Sequence, residues 1–342
     1  VDEVCSNLKS KLKNKLILKS TLLACFASSL LAGVFPIGAS AADSPALKYG
    51  LCINFGLQTF ARPGEQGELP ASRFAPASVN VKSWARAAKE AGMTFAVPIV
   101  KPRTGFCLWP TADYDYDIGH SPFKGDIMGD FIAVCNAEGI LPGALYSVPD
   151  AHNEGTQRNV GPVPNLYFDF IKKQITELHT KYPGLRVQIF GTSPRFSPEQ
   201  WNDLVQLLHR VNPQCVILDE QHEGIMQQMG GAVIKSYVWR PNAELVPAAE
   251  LFRLHEQAQV AKKSLLLTVG ADPSGNIPDD QIAVLSHLKE MIANPPPAQT
   301  TTTPAAKPDA AERLKKLKSL FEQGLINKED YDKKVKEIVD SL

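Results

Sequence analysis

The sequence predicts an α/β chain built as a TIM-like (β/α)8 barrel, which need not be regular, followed by a C-terminal α-helical hairpin. Three observations carry this. Short β-branched or apolar runs alternate with longer stretches of helical period, which specifies a parallel sheet covered by helices. Seven such runs occur, more than a small two-layer domain needs. After Ala293 the composition changes abruptly to a Pro/Thr tract and then to two amphipathic stripes.

The first 41 residues read as a leader. Five lysines (Lys9, Lys11, Lys13, Lys15, Lys19) precede an apolar stretch over 22–34, and small residues follow at Gly38-Ala39-Ser40-Ala41-Ala42. That order is a secretory signal, with cleavage expected after Ala41 and a periplasmic or extracellular destination. The residues ahead of the lysines read as an overlong start. A membrane anchor is the rival, but the run is shorter than the ~20 apolar residues that span a bilayer. Lipoprotein processing at Cys25, within Leu22-Leu23-Ala24-Cys25, is another.

The body, 46–293, is the barrel. Its strands are expected at 49–55, 95–100, 143–147, 186–190, 215–219, 233–238 and 264–269. One helix opens after Asn80, buries Trp84, Ala87, Ala88 and Ala91, and stops at Gly92. Another opens at Ser197-Pro198-Glu199, with proline at its first position and Leu204, Leu207 and Leu208 on its inner face. Residues 294–309 form an extended linker. In 310–342, Leu314, Leu317, Leu320 and Phe321 make one stripe and Tyr331, Val335, Ile338 and Leu342 another, with Gly324 ending the first helix and Asn327 capping the second.

Composition bounds the function. With 44% hydrophobic and 21% charged residues, disorder throughout, collagen and a multi-span membrane protein are excluded. Lys plus Arg and Asp plus Glu both number 36, so no nucleic-acid partner is indicated. Five of the basic and two of the acidic residues fall in 1–41, leaving 31 and 34 and a mildly acidic body. Beyond the leader, Cys52, Cys107, Cys135 and Cys215 show no metal-binding spacing, so four free thiols, no metal and no cofactor are expected.

In such a barrel the chemistry belongs to the loops after the strands. They offer Glu65 and Glu68, then Asp113, Asp115 and Asp117, then Asp150, then Asp219, Glu220 and Glu223. The same loops hold Phe60, Phe106, Trp109, Tyr114, Tyr116 and Trp239. Aromatic faces beside carboxylates suit a sugar ring, although core packing accounts for Phe106 and Trp109 equally well.

Six blocks carry a resemblance. They are Tyr49-Gly50-Leu51-Cys52-Ile53-Asn54-Phe55-Gly56-Leu57; Trp84-Ala85-Arg86-Ala87-Ala88-Lys89-Glu90-Ala91-Gly92; and Gly105-Phe106-Cys107-Leu108-Trp109-Pro110-Thr111. Next come Asp115-Tyr116 with Ser121-Pro122-Phe123-Lys124-Gly125-Asp126, and Gly143-Ala144-Leu145-Tyr146-Ser147 with Asp150-Ala151-His152-Asn153. The last is Leu265-Leu266-Leu267-Thr268-Val269-Gly270 with Gly275-Asn276-Ile277-Pro278. In this order they resemble the α-L-fucosidases of glycoside hydrolase family twenty-nine over about residues 48–292. The resemblance implies a retaining mechanism, with a nucleophilic aspartate in Trp-Phe-Asp-Gly at the end of the fourth strand and a loop glutamate as acid/base.

The same alignment departs from that pattern. Without a gap, Val187-Gln188-Ile189-Phe190-Gly191 puts Phe190 at the nucleophile, and a phenyl ring cannot form a glycosyl ester. The sugar-binding Lys-His-His-Asp-Gly-Phe becomes Lys101-Pro102-Arg103-Thr104-Gly105-Phe106. Asn54 stands for the histidine of His-Trp-Gly, and Glu223 in His222-Glu223-Gly224 resembles the acid/base stretch. Residues 314–331 resemble the short SHOCT module, which implies self-association or docking to a protein partner.

Two functions therefore compete. One is an exported, glycan-associated barrel that no longer hydrolyses fucosides, with its hairpin as an assembly element. The other is an active, α-L-fucosidase-like retaining hydrolase with a relocated nucleophile, Asp150 or Asp219, working with Glu223. Its two carboxylates would have to lie about 5 Å apart. Asn54, Lys101, Arg103, Trp109, His152 and Trp239 are the expected substrate contacts in either case. Export makes a direct prediction: mass spectrometry of the secreted protein finds Ala42 as the first residue, and a lipidated Cys25 refutes it.

Overall fold

The computed structural model describes residues 47–296 apart from 66, 155–161, 192–195 and 220–227, together with 314, 317–318 and 328–339. The leader, most of the linker, much of the hairpin's first helix, and Glu223 lie outside the described residues. The chain forms two compact units that divide between Lys289 and Glu290.

In the first unit, strands and helices alternate: β1 (Tyr49–Asn54), α1 (Val81–Glu90), β2 (Phe95–Lys101), α2 (Ile127–Glu138), β3 (Leu141–Ser147), a one-turn α3 (Ala151–Glu154) and α4 (Asn165–Lys181). Then follow β4 (Val187–Gly191), α5 (Pro198–Val211), β5 (Val216–Leu218), β6 (Gln228–Ala232), α6 (Ala248–Val260), β7 (Ser264–Gly270) and α7 (Asp279–Ala293), whose last residues are counted to the second unit. The strands pair in the order β5-β4-β3-β2-β1-β7-β6, every pair parallel. This is the cyclic order of a barrel with seven strands, opened between β5 and β6 among the described residues. Among the described residues the sheet has seven strands, where eight were expected of a regular barrel.

Capping and patterning explain the helices. The Ser197 hydroxyl accepts from Gln200 N while the Gln200 side chain accepts from Ser197 N, a capping box in front of Pro198. Leu204 and Leu208 are buried below it, with Leu207 only half-buried. In α1, Val81, Trp84, Ala85, Ala87 and Ala88 face inward. Gly92 ends the turn at φ 73, where Gly92 N donates to Lys89 O and Met93 N to Ala88 O.

The sixth strand is a correction. The β-rich run 233–238 looked like the strand, but the ladder to β7 is made by Gln228–Ala232. Of the expected run, Ile234 makes only an antiparallel bridge to Leu245, and Tyr237 sits at φ 59. Two glycines in Gln228-Met229-Gly230-Gly231-Ala232 hid the strand from propensity. Gly231 suits it physically, because a Cβ there would lie 2.8 Å from the Leu254 side chain and 3.0 Å from Leu267.

Alternation along the strands sorts side chains into two layers. Cys52, Phe95, Val97, Val187, Ile189, Leu218 and Leu266 pack together inside the curl. Their neighbours in sequence face the helices. Cys52, Cys107, Cys135 and Cys215 are all free and buried, and burial pushes the Cys52 thiol up to about 12.

Gln188, on the helix-facing side of β4, anchors a buried polar triad. His179 Nε2 lies 3.0 Å from Gln188 Oε1, and Asn212 Nδ2 lies 3.1 Å from His179 Nδ1 while also donating to Leu185 O at 2.8 Å. A ring that accepts at Nδ1 and donates at Nε2 is neutral. Burial lowers its pKa to about 4, against an unfolded value of 6.5. The unfolded chain therefore binds the extra proton first, and stability falls as pH drops from 6.5 to 4, with no further loss from this group below that. Urea titrations should show about 1.6 kcal/mol lost between pH 6.5 and 5 through His179, the slope approaching 1.36 kcal/mol per pH unit below the unfolded pKa. The variant H179Q should lack that slope.

In the second unit, Lys328–Val339 forms helix α8, and Leu314, Leu317 and Lys318 are helical as well. Leu317 and Ile338 are buried, and Tyr331 and Val335 are half-buried.

Candidate functional site

The loops after β2 and β3 meet on a buried ion pair. Lys101 ends β2, and a register shift between Ile99 and Lys101 sets it opposite Tyr146. Strict alternation from Ile99 would have pointed Lys101 into the curl, so the bulge redirects it to the helix-facing layer. There its Nζ lies 2.9 Å from Asp150 Oδ2, 3.2 Å from Tyr167 Oη and 4.5 Å from the centre of the Tyr146 ring. Both partners are fully buried.

Asp150 is held on every side. Tyr114 Oη donates to both carboxylate oxygens at 3.1 and 3.2 Å, and Asn153 N donates to Oδ1 at 3.0 Å. Burial first, and then the Asp150 charge, push the Tyr114 phenol well above its usual range. Gly105 passes close by at φ 94, and a Cβ there would overlap the carboxylate and the Tyr114 hydroxyl. Asp150 thus organises the rim, with no face left for an incoming ring.

A second buried carboxylate organises the loop after β2. Asp117 accepts from Thr111 N at 2.6 Å, Thr111 Oγ1 at 2.9 Å and His120 N at 3.0 Å, and lies 2.9 Å from His120 Nδ1. Beside it, His152 stacks on Tyr116 at 4.2 Å and 8°. Its Nδ1 lies 2.8 Å from Glu68 Oε1 and its Nε2 3.9 Å from Asp115 Oδ1. The result is a cavity of about 500 Å³ walled by Ala112, Asp113, Tyr114, Asp115, His120, His152 and Asn153.

The remaining expected residues are scattered. Asn54 ends β1, half-buried, and its carbonyl accepts from Ala271 N. Arg103 is exposed, and its carbonyl accepts from Ala151 N. Trp109 is fully buried, with no partner for its indole N–H among the described residues. Trp239 is half-buried in the loop after β6, tied to the first loop through Arg240, whose guanidinium donates to Trp239 O and Gln58 O. Asp219 follows β5 and is fully buried. Of the expected site residues that are described, only His152 lines the cavity. His120 was missed because an Asp-x-x-His spacing inside a Gly-containing turn reads as ordinary loop.

The fourth strand requires a correction. Phe190 faces the helix layer, against Tyr146, Phe196 and Trp201 at ring distances of 6.3, 6.1 and 5.8 Å. The last inward-facing position is Gly191, where a Cβ would meet Leu145 at 3.0 Å. The gapless alignment that set Phe190 at the nucleophile is therefore one residue out of phase with the strand. The inward position carries no carboxylate in either register.

An opened parallel barrel with its polar and aromatic side chains gathered after the strands defines an α/β protein of the TIM-barrel class. Within that class the assignment is specific: a family model described as alpha-L-fucosidase matches residues 43–238, more than half of the chain, so the chain belongs to the alpha-L-fucosidase family. It is similar to alpha-L-fucosidase 1 of Arabidopsis thaliana, 27% identical over 176 residues, which are 49% of this chain and 34% of that protein. A relative from Oryza sativa subsp. japonica is 36% identical over 137 residues, 39% of this chain and 25% of its own length. The match thus spans a quarter to a third of these curated relatives. Among solved structures, alpha-L-fucosidase AlfC of Lactobacillus casei, in complex with α-L-fucose, superposes with a TM-score of 0.61 at 20% identity, covering 72% of this chain and 95% of that one. A GH29 alpha-L-fucosidase of Bacteroides thetaiotaomicron gives 0.62 at 17%, covering 75% and 74%.

The buried pair makes a prediction about stability. K101M leaves the Asp150 charge uncompensated and should cost about 3–5 kcal/mol in urea unfolding. K101M/D150L should recover part of that loss, because removing both charges is cheaper than stranding one. A double variant less stable than K101M would show that the pair itself stabilises the rim.

Proposed function

We propose that this chain is an exported, carbohydrate-associated member of the alpha-L-fucosidase family that does not turn over ordinary α-L-fucosides. The observation that carries the reading is the end of β4, where Phe190 packs outward and the inward position is Gly191. A retaining hydrolase needs a carboxylate on each side of the scissile bond. Two further features support it. The lysine of the sugar-binding motif is turned into the helix layer and neutralised by Asp150. The motif's two histidines are replaced by Pro102 and Arg103. The C-terminal hairpin belongs to the same proposal as an element for self-association or protein docking.

The rival is hydrolysis through a relocated pair. Asp219 favours it by position, since it follows β5 at the end of the sheet where barrel enzymes place their chemistry. Aryl α-L-fucoside assays on the purified protein separate the two. Turnover should stay below about 10⁻² s⁻¹, against a median near 10 s⁻¹ for enzymes. The variant G191D, which points a carboxylate inward, should remain folded and inactive because the sugar contacts are still missing. Ordinary turnover that D219N and E223A each abolish would establish the relocated pair instead.

A further inference from the structure

The cavity beside His152 has a chemistry of its own. Two imidazoles line it, and each is anchored at Nδ1 by a carboxylate: His152 by Glu68 at 2.8 Å and His120 by Asp117 at 2.9 Å. Neutral imidazole that donates its Nδ1–H in this way presents Nε2 as a hydrogen-bond acceptor. A carboxylate behind a histidine also fixes the tautomer and the ring orientation of a binding imidazole. His152 is further held face-on by Tyr116 and edge-on by Tyr114, at 4.2 and 5.4 Å.

The rest of the lining is mostly acceptor as well. Asp113 and Asp115 contribute exposed carboxylates, and the Tyr114 hydroxyl spends its proton on Asp150. Asn153 adds an amide that can donate or accept. Lys173 lies 4.0 Å from Asp113 at the edge of this wall, and the Lys101 ammonium behind Tyr114 is paired with Asp150. A surface so short of donors is satisfied by a ligand that brings them, and an anionic ligand is disfavoured. The volume, about 500 Å³, lies within the range of small-molecule sites.

We propose that this cavity is a saccharide subsite selective for a sugar carrying a free ammonium group, with Asp115 pairing the ammonium and the Nε2 atoms of His120 and His152 accepting from its N–H or O–H groups. The proposal rests on the reading of the chain as carbohydrate-associated. It differs from the end of β4 in place and in chemistry.

The probe is a β-1,4-linked glucosamine disaccharide with free amines, compared at pH 7.5 with its N,N′-diacetylated form, in titrations of the full mature chain followed by calorimetry and by imidazole NMR. The free amine should bind at least tenfold more tightly and shift the His120 and His152 ring resonances. D115N should weaken it about tenfold without changing the thermal midpoint, and H120Q/H152Q should weaken it again. Equal affinity for the two disaccharides, no binding, or binding indifferent to D115N overturns the subsite. A separate glycan array distinguishes the failures: neutral glycans bound while the glucosamine disaccharide is ignored would sink this inference and leave the carbohydrate-associated reading standing.

Discussion

A buried charge must be answered where it lies, and the rim of this molecule is arranged around one such answer. Lys101 and Asp150 have lost all contact with solvent, and each is costly alone in that setting. The chain meets the cost with neighbours from four segments: the end of β2, the loop carrying Tyr114, the turn at Asn153 and Tyr167 on α4. Tyr167 in turn donates to Val148 O at 2.5 Å, which ties the end of β3 to the same knot. The two loops that wall the cavity are therefore not independent. Their separation is set by the length of a lysine, a carboxylate and a phenol.

The bulge before Lys101 makes this arrangement possible. Without it, Lys101 would stand beside Ile99 in the inner layer, among Val97, Ile189 and Leu145, with nothing to pair its charge. One extra residue in the strand moves the ammonium to the layer where tyrosine rings and a carboxylate are within reach. The same two-layer logic governs β4, where Gln188 and Phe190 face the helices and Val187 and Ile189 the interior. A one-residue change of phase exchanges every partner of a side chain, so position in a motif says less than position on a strand face.

That limit explains how much of the molecule was legible in its sequence. The strand and helix alternation, the Ser197 cap and the Gly92 stop are local signals, and local signals survive into the structure. The sixth strand did not announce itself, because two glycines lower strand propensity, of which Gly231 suits close packing against Leu254 and Leu267. Sequence reasoning placed Lys101, Trp109 and Asp150 among the residues at the site, yet all three are fully buried. Exposure depends on what packs above a residue, and no spacing rule encodes that. His152 was legible, while its companion His120 was not, since its orientation comes from Asp117, a residue that otherwise looks like turn chemistry.

The blocks that carry the family resemblance are themselves explained by packing. Trp84, in the second block, is fully buried and donates its indole N–H to Gly275 O in the last block at 2.7 Å. Asn80 Nδ2 reaches Asn276 Oδ1 at 2.7 Å, and Asn80 N bonds Ser274 O, so the start of α1 is fastened to the loop after β7. Phe106, in the third block, packs between Phe74 and Tyr116, while Phe74 joins Phe55 of the first. These contacts join the segments around β2, β1 and β7, three consecutive strands of the sheet, and they hold whatever stands at the ends of β4 and β5. The packing that holds these blocks together is separate from the strand ends and loops where the chemistry of such a barrel belongs, so the one can persist while the other changes.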